Sequence, residues 1–274
     1  MPVEFLTEIQ KKHYGRFSGE LSSADLARYF YLDNKDRTLI DKRRGDHNRL
    51  GFALQLGTVR CLGTFLPNPI DIPSGFIDFV ACQINITNPD CLPRYMERKQ
   101  TRHAHKLEIQ REYFYCEFND PPWRFRLSRM LYARAWISAE RPILLFDVAM
   151  HWLIANKVLL PGATTLERLI SQIRERTATR LWSTLAELPS TAQRTALDEL
   201  LSIEDGSRTS ALERLRKGPV HVSGPSFNNA LDRYEELHKF RIRNLNISRI
   251  PPVRLKNLAR HAAQISAYKF MRMP

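Results

Sequence analysis

The chain of 274 residues is long enough for about two domains, each able to bury its own core. A hydrophobic fraction of 43% and a charged fraction of 26% are typical of an ordinary globular protein, which excludes extensive disorder. No apolar run reaches the roughly 18 residues that a membrane span needs, so the sequence does not predict a transmembrane helix.

The balance of charge favours a polyanion as the partner. Lysine and arginine number 42 against 29 acidic residues, which gives a formal net charge of +13 and an isoelectric point near 9.8. Each phosphate that a protein cation neutralises releases condensed counterions, and this release drives binding to nucleic acid. A basic protein of membrane surfaces would satisfy the same charge, but it needs an amphipathic helix with Lys or Arg flanking large apolar residues, and no segment fits that pattern cleanly.

The cysteines and the amino terminus indicate a reduced, cytoplasmic environment. The four cysteines show no Cys-x-x-Cys spacing, and residues 1–5 lack the basic and apolar pattern of a secretion signal. A zinc site is the weaker alternative, because the separations of its candidate ligands are not those of a usual zinc module. Those candidates are Cys91, His103, His105 and Cys116. We expect buried free cysteines and surface histidines instead.

Apolar residues recur at helical spacing along nearly the whole chain, which predicts an all-α fold. We expect two helical DNA-binding modules, helix-turn-helix-like, plus a carboxy-terminal helical extension. The first module, residues 1–119, has helices expected over 22–31, 33–44, 46–61, 74–84 and 98–115. The helix over 46–61 is apolar on two sides, which predicts a central buried element. Asn119-Asp120-Pro121-Pro122 then interrupts the helical pattern and marks the first boundary.

The second module, residues 120–218, begins with helices expected over 122–138 and 142–156. Thr164 with Glu167 predicts a capping box at the next helix, as do Ser190 with Gln193 and Ser210 with Glu213 further on. The remainder, residues 219–274, is expected to start with a linker at Gly224-Pro225 and to continue as helices over 226–245 and 251–272. From residue 237 to residue 274 it has nine Lys or Arg and no acidic residue.

The first basic cluster lies between the second and third predicted helices. A glycine there permits a tight turn, and the amides at the start of the following helix are unpaired, which favours a phosphate. The side chains that could add contacts to DNA are Lys42, Arg43, Arg44, His47, Asn48 and Arg49. The alternative is structural: basic residues complement the dipole of the preceding helix, and Asp46 caps the following one. Position alone does not separate the two interpretations.

The second cluster is one face of the helix from about residue 98. Arg and Lys bind phosphates and Gln binds base edges, which a helix in the major groove requires. The candidate DNA contacts are Lys99, Arg102, His103, Lys106 and Gln110. A solvated surface face is the alternative, and we favour DNA contact because basic and amide side chains outnumber acids along this face.

The third cluster lies on the helix that follows Pro161-Gly162. Opposite its apolar stripe are Thr165, Arg168 and Gln172, in the amino-terminal half where recognition helices contact bases. The preceding helix, the connector and this helix could form a helix-turn-helix. That pattern is weakly specific, and the connector is longer than the usual three or four residues.

Catalytic motifs are absent from the sequence. It has no phosphate-binding loop, no zinc-protease motif and no nucleophile elbow, and its acidic residues are individually typical of caps and surface charges. A two-metal nuclease site assembles from distant carboxylates, so it is not excluded, but no residue pattern supports one. We expect this chain to have no enzymatic activity and no cofactor.

Three stretches carry a resemblance to a known family: residues 2–7 (PVEFLT), residues 42–56 (KRRGDHNRLGFALQL) and residues 159–169 (LLPGATTLERL). They resemble the amino-terminal region of Tn-three-type bacterial transposases, the enzymes of replicative, cointegrate-forming transposons. The similarity runs in the same order over the whole chain, and the stretch at 42–56 is the most distinctive.

The resemblance implies sequence-specific binding of double-stranded DNA at the transposon's terminal inverted repeats, through residues 42–49 and the helix around Arg168. In that family catalysis belongs to a carboxy-terminal, ribonuclease-H-like domain with an Asp-Asp-Glu triad and magnesium. Those proteins are several times longer, so no catalytic residue carries over and magnesium is expected only for the absent domain. The implied partners are that DNA, the missing carboxy-terminal transposase domains and a second copy in a full-length homodimer, with no membrane. The implied location is the bacterial cytoplasm, at the nucleoid.

Two other functions stay open. A helical scaffold or protein-interaction module with non-specific nucleic-acid affinity would use the positive charge for protein contacts or solubility. RNA binding is less favoured, because neither an RRM signature nor a GXXG loop occurs in the sequence.

Overall fold

The computed structural model describes residues 4–17, 19, 22–68, 71–203, 209–218 and 221–265. Across these residues the regular structure is helical, and Cys116 and Val158 form an isolated parallel β-bridge. The α-helices are α1 (Glu8–His13), α2 (Ser23–Phe30), α3 (Asn34–Asp41), α4 (Asp46–Leu62), α5 (Ser74–Gln83), α6 (Leu92–Met96), α7 (Lys99–Tyr113), α8 (Trp123–Ile137), α9 (Pro142–Ala155), α10 (Ala163–Glu187), α11 (Thr191–Glu199), α12 (Ala211–Arg216), α13 (Gly224–Lys239) and α14 (Pro252–Gln264). Short 3-10 helices lie at Pro89–Cys91 and Ile242–Asn244. The all-α class is confirmed, whereas the helix-turn-helix detail stays a prediction.

Side-chain caps start several helices where the sequence predicts them. Ser22 accepts a hydrogen bond from the backbone N–H of Asp25 at α2, and Ser190 forms the expected capping box at α11. Ser210 accepts from the N–H of Glu213 at α12. These bonds satisfy amides that the first helical turn leaves unpaired, so the helix starts were readable from the sequence.

The predicted central helix is confirmed as α4, in which every residue from 50 to 59 is buried. Helices α2, α3, α5, α6 and α7 pack around it. Two glycines allow this packing, because a Cβ at Gly51 would overlap the Tyr95 ring and one at Gly57 would overlap the Phe30 ring. Glycine is therefore a packing requirement at both positions.

A buried carboxylate links α3, α4 and α7. Asp36 is fully buried and accepts hydrogen bonds from both terminal nitrogens of Arg60, at 2.8 and 2.9 Å, and from the Tyr113 hydroxyl. Burial by itself would raise the pKa of Asp36, but the hydrogen bonds from Arg60 and Tyr113 outweigh it and hold that pKa below its usual value. The carboxylate is therefore ionised and paired in the folded protein.

A second buried carboxylate holds the segment before α1. The Oε1 atom of Glu167 accepts hydrogen bonds from the backbone N–H groups of Phe5, at 3.0 Å, and Leu6, at 2.8 Å. Because α10 begins at Ala163, Thr164 lies inside the helix, and the predicted capping box of Thr164 with Glu167 is wrong. The long-range pairing of Glu167 could not be read from local sequence.

The chain divides into two compact units. The first unit comprises Met1–Tyr132 and Glu140–Ile173, and the second unit comprises Ala133–Ala139 and Arg174–Pro274. These bounds differ from the boundaries expected at residues 119 and 218, because the first unit includes α9 and the start of α10. The assignment of DNA binding to separate modules stays a prediction.

In the second unit, side chains bond backbone carbonyl groups of distant segments. The amide nitrogen of Gln193 on α11 donates to the Phe240 carbonyl at 2.9 Å. The guanidinium of Arg216 on α12 donates to the carbonyls of Ile265, at 2.6 Å, and Ala262, at 3.0 Å. The Phe240 and Ile265 carbonyls lie beyond the last turns of α13 and α14, where the helical ladder provides no amide partner, whereas the Ala262 carbonyl also accepts from the N–H of Ile265.

Some predicted helix bounds are wrong. Helix α3 ends at Asp41 rather than at residue 44, and the predicted linker at Gly224-Pro225 is instead the start of α13, where proline fits because the first turn needs no N–H there. The expected helix over 251–272 ends at Gln264 among the described residues, and residues 266–272 lie outside them. No helix in the described ranges is long and apolar enough to cross a membrane.

Candidate nucleic-acid interface

Two of the arginines predicted to contact DNA between α3 and α4 are engaged in the fold. The guanidinium of Arg43 lies 2.6 Å from the Glu108 carboxylate and 4.4 Å from the centre of the Phe52 ring. Arg49 lies 3.0 Å from the Asp41 carboxylate and also donates to a backbone carbonyl. Their guanidinium groups are therefore held by protein partners, which favours the structural interpretation for these two residues.

The rest of this turn remains open to a ligand. Gly45 has a left-handed backbone with φ of +83° and stands before α4 without a side-chain cap, so the first amides of α4 are free of side-chain acceptors. The side-chain nitrogen of Asn48 donates to the Arg44 carbonyl at 2.8 Å and fixes the turn. Lys42 and Arg44 are exposed, and His47 is half-buried. The candidates for DNA contact here are consequently Lys42, Arg44 and His47.

Four of the five residues predicted on α7 line one cleft, which we call the basic cleft. It has a volume of about 180 Å³, and its lining consists of Gln55, Leu66, Pro67, Lys99, Arg102, His103 and Lys106. Lys99 and His103 are exposed, whereas Arg102 and Lys106 are half-buried. The structure thus collects these basic side chains into a recess rather than along a projecting helix face.

The fifth predicted residue of α7 has another role. The side-chain amide of Gln110 donates to the Glu117 carboxylate at 2.6 Å, which leaves it less able to read a base edge. Leu107 on α7 and Phe114, the residue that caps the carboxy-terminal end of this helix, have 52% and 77% of their surface exposed. The DNA contacts predicted along α7 stay a prediction, and Gln110 is the one of the five residues that has a carboxylate partner among the described residues.

A chain of buried polar groups lies under the basic cleft. The amide nitrogen of Gln55 donates to the Tyr95 hydroxyl at 2.8 Å, and that hydroxyl lies 2.9 Å from Nδ1 of His105. Burial, followed by the nearby charge of Arg43, lowers the pKa of His105 to about 4. His105 is therefore neutral at physiological pH, and the expectation of a surface histidine is wrong at this position.

The structure gives no support to the zinc alternative. His105 is bonded to Tyr95, and no group of three or more His, Cys, Asp or Glu side chains among the described residues could hold a metal ion. Cys82 is exposed and the other three cysteines are half-buried, so the expectation of buried cysteines is wrong. Burial raises the pKa of Cys91, one of the candidate ligands, which disfavours the thiolate form that binds zinc.

The cluster on α10 occupies the exposed side of that helix. Thr165, Arg168 and Gln172 are exposed, while Leu166 and Ile170 on the opposite side are buried. Arg168 and Gln172 are four residues apart, so they lie one helical turn apart on one face. This placement is compatible with the predicted base contacts.

Sequence reasoning missed a basic surface on α8. Arg124, Arg126 and Arg129 are exposed, and Phe125 between them has 70% of its surface exposed. The guanidinium of Arg126 also lies 5.3 Å from the centre of the Trp123 ring. The available signal was the run WRFRLSR, in which arginines alternate with aromatic residues and no acid occurs.

Comparisons with known proteins support the resemblance inferred from sequence motifs. The chain is 54% identical over 274 residues to the transposase for transposon gamma-delta of Escherichia coli (strain K12), a match that covers all of this chain and 27% of that protein. It is 33% identical over 248 residues to the transposase for transposon Tn501 of Pseudomonas aeruginosa and 28% identical over 247 residues to that for Tn1546 of Enterococcus faecium. Each of these matches covers 89% of this chain and about a quarter of the relative.

The predicted similarity to the amino-terminal region of Tn-three-type transposases is thus confirmed, and the chain spans about a quarter of the length of the relatives it matches. A family model also matches residues 5–173, which coincide closely with the first compact unit. The chain therefore belongs to the family described as Domain of unknown function (DUF4158).

Proposed function

We propose that this chain is the part of a transposase that binds double-stranded DNA, at the terminal inverted repeats of its transposon. The observation that carries the proposal is the set of accessible cations on three elements of the first unit: the basic cleft on α7, the arginines of α8 and the exposed face of α10. The similarity of the whole chain to proteins named as transposases supplies the biological setting.

The chemistry of the accessible groups fits phosphates and bases together. Arg124 and Arg129 on α8 are suited to phosphate oxygens, and the exposed ring of Phe125 can contact sugar or stack on a base. On α10, Arg168 can donate two hydrogen bonds to a guanine and Gln172 can bind an adenine edge. We assign positioning to α8 and sequence reading to α10.

Catalysis in this proposal belongs to the remainder of a longer protein. The chain spans about a quarter of its relatives, and an Asp-Asp-Glu domain with magnesium would stand outside it. The partners we propose are the remaining transposase domains and, in the full-length protein, a second copy. The proposed location is the bacterial cytoplasm, at the nucleoid.

Gel-shift titration with two duplexes tests the proposal. One duplex carries a terminal inverted repeat of a related transposon, the other has the same composition in scrambled order, and each is titrated at several salt concentrations. We expect tighter binding to the repeat, by at least about tenfold, since specific binding exceeds non-specific binding by much larger factors in complete proteins. Equal weak binding to both duplexes would contradict specific recognition.

Variants then separate the two roles. Arg168→Ala or Gln172→Ala should reduce the preference for the repeat over the scrambled duplex, while Arg124→Gln should weaken binding to both duplexes and lower the salt slope by roughly one. Lys239→Gln on the exposed surface of α13 is the charge-matched control. If all three interface variants bind as the parent does, the interface lies elsewhere.

One observation favours a second candidate function, a protein-interaction module. Helix α13 in the second unit exposes Phe227, Leu231 and Tyr234, with 65%, 44% and 49% of their surface exposed. Apolar side chains spaced three and four residues apart form a stripe that another helix could cover. Absence of any DNA binding at low salt would favour this function over the first.

A further inference from the structure

The basic cleft has features that a solvated helix face lacks. Lys99, Arg102, His103 and Lys106 follow one another at helical spacing on α7, and α4 closes the recess with Gln55. Water occupies about 30 Å³ per molecule in the liquid, so the recess of about 180 Å³ has room for about six water molecules. That space is large enough for an anion of the size of one phosphate group.

The basic side chains that line the cleft have no acidic partner there. Among the described residues, none of the four basic side chains forms an ion pair, and no acidic residue lines the recess. The Nε atom of Arg102 is buried without a hydrogen-bond acceptor, and Nη1 has only the Met96 sulfur, at 3.4 Å. Unpaired donors of this kind gain most from a bound anion.

The pKa of Lys106 is lowered by its burial and by the neighbouring positive charge. Its ammonium lies 5.5 Å from the centre of the Phe65 ring and is half-buried. Burial, followed by repulsion from Arg102, lowers the pKa of Lys106 below its ordinary value. A neighbouring anion would stabilise the protonated form of Lys106 and raise its pKa.

Gln55 adds a buried acceptor to the lining of the cleft. Only 3% of its surface is exposed, its nitrogen is bonded to the Tyr95 hydroxyl, and its Oε1 atom is buried without a hydrogen-bond partner. A buried acceptor without a donor is unfavourable in a folded protein. Because Oε1 has almost no accessible surface, neither water nor a ligand reaches it without a shift of the Gln55 side chain.

We infer that the basic cleft is a pocket for a single phosphate group, held by Lys99, Arg102 and Lys106. The inference deepens the proposed function and rests on it for the source of the phosphate. That source is a phosphodiester within the duplex or the terminal phosphate of a DNA strand, and both present the same anionic oxygens. Arg102 and Lys106 thereby become phosphate contacts instead of base-reading residues.

Lysine acylation followed by mass spectrometry tests occupancy of the pocket in the 274-residue chain. N-hydroxysuccinimide acetate modifies amines that are unprotonated and accessible, so Lys106 is a sensitive reporter, and Lys239 on α13 is the internal control. We expect linear duplex DNA to suppress acylation of Lys106 several-fold more than that of Lys239. Inorganic phosphate, replacing chloride at constant ionic strength, should protect Lys106 in the same direction.

Three DNA forms identify the source. Closed circular DNA offers phosphodiesters only, whereas linear duplexes with and without a 5′-phosphate differ only at the strand end. Protection by all three assigns the pocket to backbone phosphate, and protection by the 5′-phosphorylated form alone assigns it to a strand end. A gel-shift complex that leaves Lys106 as reactive as in the free protein, with no protection by inorganic phosphate, would overturn the pocket and leave DNA binding intact.

The salt slope tests whether the pocket holds a single phosphate. Arg102→Gln and Lys106→Gln should each lower the slope of log affinity against log salt by up to about 0.9, the value for one phosphate. Because both act on the same phosphate, the double variant should lose no more than about 0.9 in total, whereas independent contacts would lose about twice that. Lys239→Gln is the matched control, and circular dichroism verifies folding of each variant. If the chain binds no DNA, protection of Lys106 by inorganic phosphate still supports the pocket, and its absence overturns it.

Discussion

The neutral state of His105 predicts a specific loss of stability in mild acid. Its side chain is 95% buried, contacts the Tyr95 hydroxyl through Nδ1, and meets the Phe52 ring edge-on at 5.2 Å. Burial and then Arg43 lower the pKa of this imidazole from 6.5 to about 4 in the folded protein. In the unfolded chain the same group has its ordinary pKa of about 6.5.

The sign follows from proton binding. As the pH falls below about 6.5, the unfolded chain binds a proton at residue 105, whereas the folded protein keeps this histidine neutral. The free energy of unfolding therefore decreases until about pH 4, where the folded protein also binds the proton. One pKa unit corresponds to about 1.4 kcal/mol, so the loss between about pH 7.5 and pH 5 amounts to about 2 kcal/mol. Urea unfolding followed by circular dichroism at several pH values measures it.

The His105→Asn variant isolates this contribution, because asparagine can still meet Tyr95 but does not titrate. The stability difference between parent and variant should change by about 2 kcal/mol across that pH range. In Tyr95→Phe the hydrogen bonds of the hydroxyl with Gln55 and with His105 are both lost, each worth about 1 kcal/mol. Its pH dependence should nevertheless persist, because burial is the main cause of the shift. Parallel pH profiles of parent and His105→Asn would refute a buried neutral histidine.

Two further changes test the packing around α4 by denaturant unfolding. Asp36→Asn leaves the Arg60 charge without its buried partner and should cost about 2–4 kcal/mol, whereas Asp41→Asn, at a partly exposed ion pair, should cost less than about 1 kcal/mol. Equal losses of stability would show that the buried pair of Asp36 and Arg60 contributes no more than the partly exposed pair of Asp41 and Arg49. Gly57→Ala should destabilise the protein by about 1–3 kcal/mol, because the added methyl group overlaps the Phe30 ring. The better helix propensity of alanine offsets only part of this loss. A stabilised variant would contradict the close packing at this position.

Helical class and most helix positions followed from the sequence, because their causes are local. The burial of α4 on all sides was visible as apolar residues on two faces, and the Ser190 capping box needs only four consecutive residues. Helices α1 and α6 were missed, since six and five residues are too few to show helical periodicity. Glu167 illustrates the limit: a local motif predicted a cap, whereas its partners lie about 160 residues earlier in the chain.

The candidate interface was predictable in composition and less so in geometry. The cluster on α7 was found by counting basic residues, but the recess that gathers Lys99, Arg102 and Lys106 depends on Gln55 and Leu66, which come from distant positions. Ion pairing also depends on tertiary structure. Glu108, which lies 65 residues further along the chain, pairs with Arg43 and holds its guanidinium group within the fold. Sequence position identifies a cation, and only tertiary packing decides whether that cation is free.

That distinction changes what the formal charge of +13 means for DNA binding. Arg43, Arg49 and Arg60 each face a carboxylate and hold the packing around α4, so they add little to the field that a phosphate meets. The cations that we propose to meet phosphates lie instead on α8, on α10 and in the basic cleft. Because the salt slope counts phosphates actually neutralised, it should correspond to these few contacts and fall well below the number of arginines in the chain. A steep slope that persists after the cleft and α8 are neutralised would locate binding on other cations, with those of the second unit the next to test.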